Sequence, residues 1–143
     1  AIVQMNLAII HSLRGEPLKA LEGYAVAEST FRRIGDEWHL AKVLTNQGID
    51  YQALHEWQRA ESLLATSTNL FQQLNDLDEY LNARYEFGVC RLEQGHNNQA
   101  IEIFEEVLAQ LPKIKDTPNY ETLTKLINAQ IDQAKTSSRG SSP

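Results

Sequence analysis

The chain has little cysteine, little proline and no long apolar run. Among its 143 residues there is one cysteine, Cys90, so an intramolecular disulfide is impossible and a cysteine-based metal site is close to excluded. Arg91 alone does not make an electropositive setting for a reactive thiol, and Cys90 reads as a small core residue. No stretch approaches the ~20 consecutive apolar residues that span a bilayer. The expectation is therefore no membrane segment, with a cytoplasmic location as the simplest reading. Basic clusters are also missing: only Arg32 and Arg33 stand together, and the formal charge is −6. Phosphate binding needs a basic stripe, so no nucleic acid is expected as a partner of this segment.

Catalytic spacing is absent as well. His11, His39, His55 and His96 are isolated, without a His-x3-His or His-Glu-x-x-His pattern, and His55-Glu56 has no second ligand nearby in the sequence. The acidic pair Glu105-Glu106 reads as a solvated face. Trp38 and Trp57 fall near helix starts, where they suit packing better than a ligand cage. An enzyme needs a nucleophile with a base, paired carboxylates or a metal cluster. No such set stands out, so neither an enzymatic role nor a metal or cofactor is expected.

What is present is a period. Forty residues separate Phe31 from Phe71, Ile34 from Leu74, Asp36 from Asp76, Gly48 from Gly88 and Ala60 from Ala100. A second step takes Phe71, Leu74 and Asp76 to Leu111, Ile114 and Asp116, and a backward step takes Asn46 to Asn6 and Ala60 to Ala20. Such a period marks stacked supersecondary units, each touching mainly its neighbours. With 42% hydrophobic and 22% charged residues, the composition is that of a chain able to bury a core.

Within each unit, helices are delimited by their own punctuation. Gly15, Gly35 and Gly95 predict left-handed helix ends, with His55 in the equivalent place between them. Asp36 and Asp76 predict N-caps, and Glu16-Pro17 and Thr117-Pro118 predict helix restarts with proline in the first turn. Pro112 is expected to end the sixth helix. Leu18, Leu21, Tyr24, Ala25, Phe31 and Ile34 recur mostly three or four apart, as one helical face requires. The first helix is different: Ile2, Val3, Met5, Leu7, Ile9 and Ile10 are too continuous for a half-exposed helix, which predicts cover on both sides. Ala1 falls inside a repeat, so the segment is expected to belong to a longer polypeptide. Leu123, Leu126, Ile127, Ile131 and Ala134 give a terminal helix one apolar stripe, as a solenoid cap needs. The serine-rich end, residues 136–143, has nothing to bury and is expected to be disordered.

The spacing Gly48, Tyr51, Ala60, Leu64 and Gly88, Arg91, Ala100, Phe104, with Pro112 eight beyond Phe104, resembles the tetratricopeptide repeat (TPR). In the first unit Ala8 replaces glycine and His11 replaces tyrosine. The resemblance implies an all-α fold: a right-handed α-solenoid of antiparallel helix pairs. Its units are placed at 1–40, 41–80 and 81–116, with a capping helix at 117–135 and the tail beyond. The 40-residue length is similar to the long repeats of kinesin light chains, spindle-orienting regulators and bacterial peptide-pheromone receptors. Wording such as Arg33-Ile34-Gly35-Asp36-Glu37-Trp38 also looks like the sensor arrays of bacterial signal-transduction ATPases, which leans the reading toward a bacterial, multidomain signalling protein.

By the same resemblance, the first helix of each unit lines a concave groove. Its expected wall comprises Met5, Asn6, Ile9 and Ser12; Lys42, Thr45, Asn46, Ile49 and Gln52; and Asn82, Tyr85, Glu86, Val89, Leu92 and Glu93. Asparagine at the position of Asn6 and Asn46 tends, in the long-repeat subgroup, to hydrogen-bond an extended peptide, because an amide both donates and accepts. Glu86 departs from that pattern, since an ionised carboxylate only accepts. Met5 and Ile9 stand where a carboxylate clamp for chaperone tails needs lysine and asparagine, which argues against that function. The function so implied is a peptide- or protein-binding scaffold, one segment of a larger regulator. The alternatives are a self-associating spacer, with a homo-oligomer as its product, and a peptide-pheromone or small-molecule sensor. Local satisfaction of the two asparagines by neighbouring backbone is the bland competitor.

Overall fold

A computed structural model describes the backbone of residues 1–140 and the side chains of residues 1–137. Among these residues there are seven α-helices and no strand: α1 (Ile2–Leu13), α2 (Pro17–Ile34), α3 (Glu37–Ala53), α4 (Trp57–Gln73), α5 (Leu77–Glu93), α6 (Asn97–Gln110) and α7 (Asn119–Gly140). The described residues form two compact halves, Ala1–Asn75 and those from Asp76 onward. In the first half α1 packs on α2, α2 on α3 and α3 on α4, with α1 also touching α3. In the second, α5 packs on α6, and α7 packs on both.

The turns arise from the residues at the helix ends. Gly15, His55 and Gly95 take φ of 75°, 60° and 87° at the same place in the three hairpins. Each is followed by the same bond across the helix end: Glu16 N to His11 O at 2.9 Å, Glu56 N to Tyr51 O at 2.9 Å, His96 N to Arg91 O at 3.0 Å. Those bonds satisfy carbonyls that the helix leaves open. His55 accepts the left-handed conformation that a β-branched residue would resist, and its ring stacks on Trp57 at 5.1 Å. Between hairpins, Gly35 and Asn75 turn left-handed. Asp36 and Asp76 then cap the next helix, each accepting a backbone N–H three residues on at 3.1 Å.

Close approach of the paired helices sets the core. A methyl on Gly48 would lie 2.8 Å from Leu64 Cγ, and one on Gly88 would lie 2.6 Å from the Phe104 ring. In the first hairpin the roles are exchanged. Ala8 carries the methyl, and the residue across from it is Gly23, where a Cβ would come within 3.0 Å of Ala8 Cβ. The first core gathers Met5, Tyr24, Phe31, Leu40 and Leu44, and the second Leu81, Phe104, Leu111, Leu123 and Ile127. Trp38 packs edge-on to Phe71 at 6.3 Å, and Cys90 is buried.

α6 ends at Gln110, just before Pro112 as expected, and a 3-10 turn, Leu111–Ile114, follows it and buries Leu111 and Ile114. Several expectations need correction. α7 begins at Asn119, because the Thr117 hydroxyl is engaged backward, donating to Ile114 O at 2.8 Å and approaching Asp78 Oδ1 at 3.1 Å. The helix continues past residue 135 to Gly140, so residues 136–140 are helical where disorder was expected; residues 141–143 lie outside the described residues. Leu126 is exposed, leaving Leu123, Ile127, Ile131 and Ala134 as the buried stripe. Finally, α1 is covered on one side alone: Met5 and Ala8 are buried, whereas Ile2, Val3, Leu7 and Ile10 are exposed.

The Gly88 contact yields a test. Gly88→Ala forces a methyl against a fully buried ring, and should lower unfolding free energy by about 1–3 kcal/mol in urea melts. Ala8→Gly, at the equivalent position of the first hairpin, should cost no more than about 1 kcal/mol.

Candidate binding face

An α-helix turns 100° per residue, so residues four and three apart share a stripe. On α3 that stripe is Lys42, Asn46 and Ile49; on α1, one repeat earlier, it is Ile2, Asn6 and Ile9. All six are exposed or half-buried. Neither the Asn6 nor the Asn46 amide makes a side-chain hydrogen bond among the described residues, and Asn6 is exposed while Asn46 is half-buried. α1 and α3 touch directly within the first half.

Other members of the expected wall are placed differently. Met5 is buried in the first core. Thr45 turns its hydroxyl onto the Ala41 carbonyl at 3.1 Å. Gln52 is buried, and its Oε1 has no partner among the described residues. Ser12 is committed to Asp50, donating to Oδ1 at 2.7 Å.

That last bond belongs to a buried polar set that sequence reasoning missed. Asp50 is 2% exposed, and burial pushes its carboxyl above the usual range against the opposing bond from Ser12. Its Oδ2 has no hydrogen-bond partner among the described residues. Tyr24 lies close enough that burial and the charge of Asp50 together hold its phenol well above its ordinary range. Nearby, Gln47 donates through Nε2 to Glu28 Oε1 at 2.9 Å, and Glu28 Oε2 accepts from Arg32 Nε at 2.9 Å. The signal available in the sequence was two polar residues on the face of α3 that carries Val43 and must meet α1 and α2.

In the second half, α7 covers part of the expected wall. Tyr85 is 6% exposed, packs 5.9 Å from the Phe104 ring and is hydrogen-bonded by Gln130 of α7. Val89 is buried in the same core. Asn82 and Glu86 are partly buried, and Glu93 is exposed. A cleft of about 490 Å³ remains between α5 and α7, lined by Val89, Leu92, Glu93, Gln130 and Gln133 among others. Glu86 behaves unlike an ordinary carboxylate: burial, and secondarily the charge of Glu93, push it up to about 7. Near neutral pH it is therefore protonated much of the time and can donate a hydrogen bond as well as accept one.

Among the described residues, no group of three His, Cys, Asp or Glu side chains could hold a metal ion. No helix is long and apolar enough to cross a membrane.

Residues 39–113 match the family model of the tetratricopeptide repeat. Among curated proteins, none matches this chain. Among solved structures, the chain is similar to the nearly identical TPR-like repeats assigned to a kinesin light chain of Podosopora anserina. The TM-score is 0.69 at 19% identity, over 92% of this chain and 68% of that one. A single-residue variant of those repeats gives a TM-score of 0.67 at 18% identity, with the same coverage. At such identities the likeness is one of fold, and it places the chain among all-α helical-repeat solenoids.

The displaced titration of Glu86 has a measurable consequence. Between about pH 4.5 and 7 the folded chain holds a proton that the unfolded chain has released, so this group makes stability fall as pH rises through that window. Glu86→Gln, which fixes the neutral form, should raise unfolding free energy at pH 8 by about 1–3 kcal/mol and change little at pH 4.5. Urea melts of both proteins at the two pH values check this.

Proposed function

Since the chain belongs to the tetratricopeptide repeat family, whose repeats generally mediate protein–protein interactions and are typically non-enzymatic, we propose that it is a scaffold segment binding an extended peptide or partner helix. The bound segment lies along the stripes of α1 and α3, with Asn46 as the main backbone contact and Asn6 as a second. Ile9 and Ile49 supply apolar contact beside them. The observation that carries this reading is the Asn46 amide: it is half-buried on its stripe and makes no side-chain hydrogen bond among the described residues, which leaves its donor and its acceptor for a ligand. An amide in that position can accept from a peptide N–H and donate to its carbonyl together, reading backbone and leaving side-chain choice to the wall around it.

Glu86, at the same repeat position on α5, extends the idea in a pH-dependent form. With its proton on, a carboxyl offers one donor and one acceptor, as an amide does; above about pH 7 it offers acceptors alone. The larger setting that suits such a segment is a cytoplasmic regulatory or signalling protein of bacterial type.

The test uses 12-residue peptides selected by phage display on the intact chain. Asn46→Ala should weaken the selected peptides by roughly 5- to 30-fold, the range that corresponds to losing one or two buried hydrogen bonds. Circular dichroism should be unchanged. If the affinity of every selected peptide survives Asn46→Ala, the backbone-capture reading is wrong.

A further inference from the structure

Residues four apart share a helical face, so Leu18, Glu22 and Val26 form one stripe of α2. All three are exposed, Leu18 at 67% and Val26 at 53%. The repeat does not ask for apolar residues there. One repeat on, the same positions are Gln58, Ser62 and Thr66 of α4, and one further they are Asn98, Glu102 and Glu106 of α6, all polar and all exposed. The two apolar side chains of α2 therefore serve no packing role that the other hairpins need, and they stand on either side of a carboxylate.

That stripe borders a groove. α2 and α4 both pack on α3, and between them lies a recess of about 770 Å³ whose apolar lining includes Leu18, Leu21 and Leu54. A smaller recess of about 260 Å³ shares Tyr51 and Arg59 with it. The charged side chains lining the two are Glu22, Glu28, Glu56 and Arg59, three carboxylates against one guanidinium. Three of these four are already engaged. Arg59 reaches Glu56 at 3.7 Å and lies over the Tyr51 ring at 5.4 Å, and Glu28 accepts from Gln47 and Arg32. Glu22 makes neither an ion pair nor a hydrogen bond among the described residues. The groove thus offers apolar surface with one uncommitted negative charge.

We propose that this groove docks an amphipathic helix of a basic partner protein, whose contact stripe reads apolar, lysine or arginine, apolar at a spacing of four. The basic side chain pairs with Glu22, and the apolar ones before and after it lie on Leu18 and Val26. Helices seat in the grooves between other helices by this kind of ridge packing, and anchors at such spacing are how an amphipathic helix fills an apolar groove. Charge selects the occupant: a basic stripe complements the acidic lining, whereas a second copy brings a chain of formal charge −6. The groove is separate from the Asn46 stripe, since Tyr51, its contribution from α3, lies five residues beyond Asn46 and on a different face.

A phage-displayed library of amphipathic helices of roughly 16 residues, apolar along one stripe and randomised elsewhere, tests this by selection on the intact chain. Clones kept after counter-selection on Leu18→Asp should carry lysine or arginine between two apolar residues at a spacing of four. By fluorescence anisotropy their peptides should bind Leu18→Asp at least about 10-fold more weakly, and Glu22→Lys roughly 5- to 30-fold more weakly. Changing the peptide's basic residue to glutamate should restore binding to Glu22→Lys. Circular dichroism of both variants should match the parent, because both positions are exposed. Asn46→Ala should bind these peptides as the parent does. The proposal is overturned if no clone depends on Leu18, if the retained clones lack a basic residue, or if Glu22→Lys binds them unchanged. A dimer in sedimentation velocity that Leu18→Asp dissolves would put a second copy in the groove and overturn it equally.

Discussion

The constraint on which the hairpins depend is the close approach of their two helices at one small position. Gly48 against Leu64, and Gly88 against Phe104, leave no space for a methyl group. Once that contact is made, the remaining large residues are forced into register: Phe31, Phe71 and Phe104 are fully buried because the helices are near enough to close over them. The first hairpin meets the same requirement by another route, with Ala8 paired against Gly23. What recurs is therefore a separation between helices, and either partner can be the one that gives up its side chain.

Much of this architecture was legible because it rests on local chemistry. Gly15, Gly35 and Gly95 take the left-handed turns their type suggests, and Asp36 and Asp76 cap as an aspartate before a helix does. His55 and Asn75 show that the turn dictates the conformation even where glycine is missing. The last helix was harder. Thr117 and Pro118 look like a start signal, but the Thr117 hydroxyl is drawn to Ile114 and Asp78, the second of which lies 39 residues away in sequence. A pattern read along the chain cannot register such a partner.

The candidate site was legible in part, for the same reason. The resemblance named the position of Asn46, and helical spacing alone then puts Lys42 and Ile49 on the same stripe. Whether a stripe is open depends on what packs over it, and α7 covers Tyr85 and Val89 while Met5 is claimed by the core. The raised titration of Glu86 was likewise hidden, since it reflects burial and a second carboxylate rather than residue type. The Ser12–Asp50 and Gln47–Glu28 pairs join residues 38 and 19 apart on different helices. No periodic signal announces them.

Those two pairs bear on how such arrays change over time. Repeat proteins are often pictured as strings of interchangeable parts, open to duplication or shuffling of one hairpin at a time. The second hairpin here carries Gln47 and Asp50, which are matched to Glu28 and Ser12 of the first. The third carries Phe87 and Cys90 at those positions. Moved into second place, it would strand the Glu28 and Ser12 partnerships. The order of the hairpins is thus written into their buried polar groups, and a recombination that kept every helix intact could still produce a chain that does not stack.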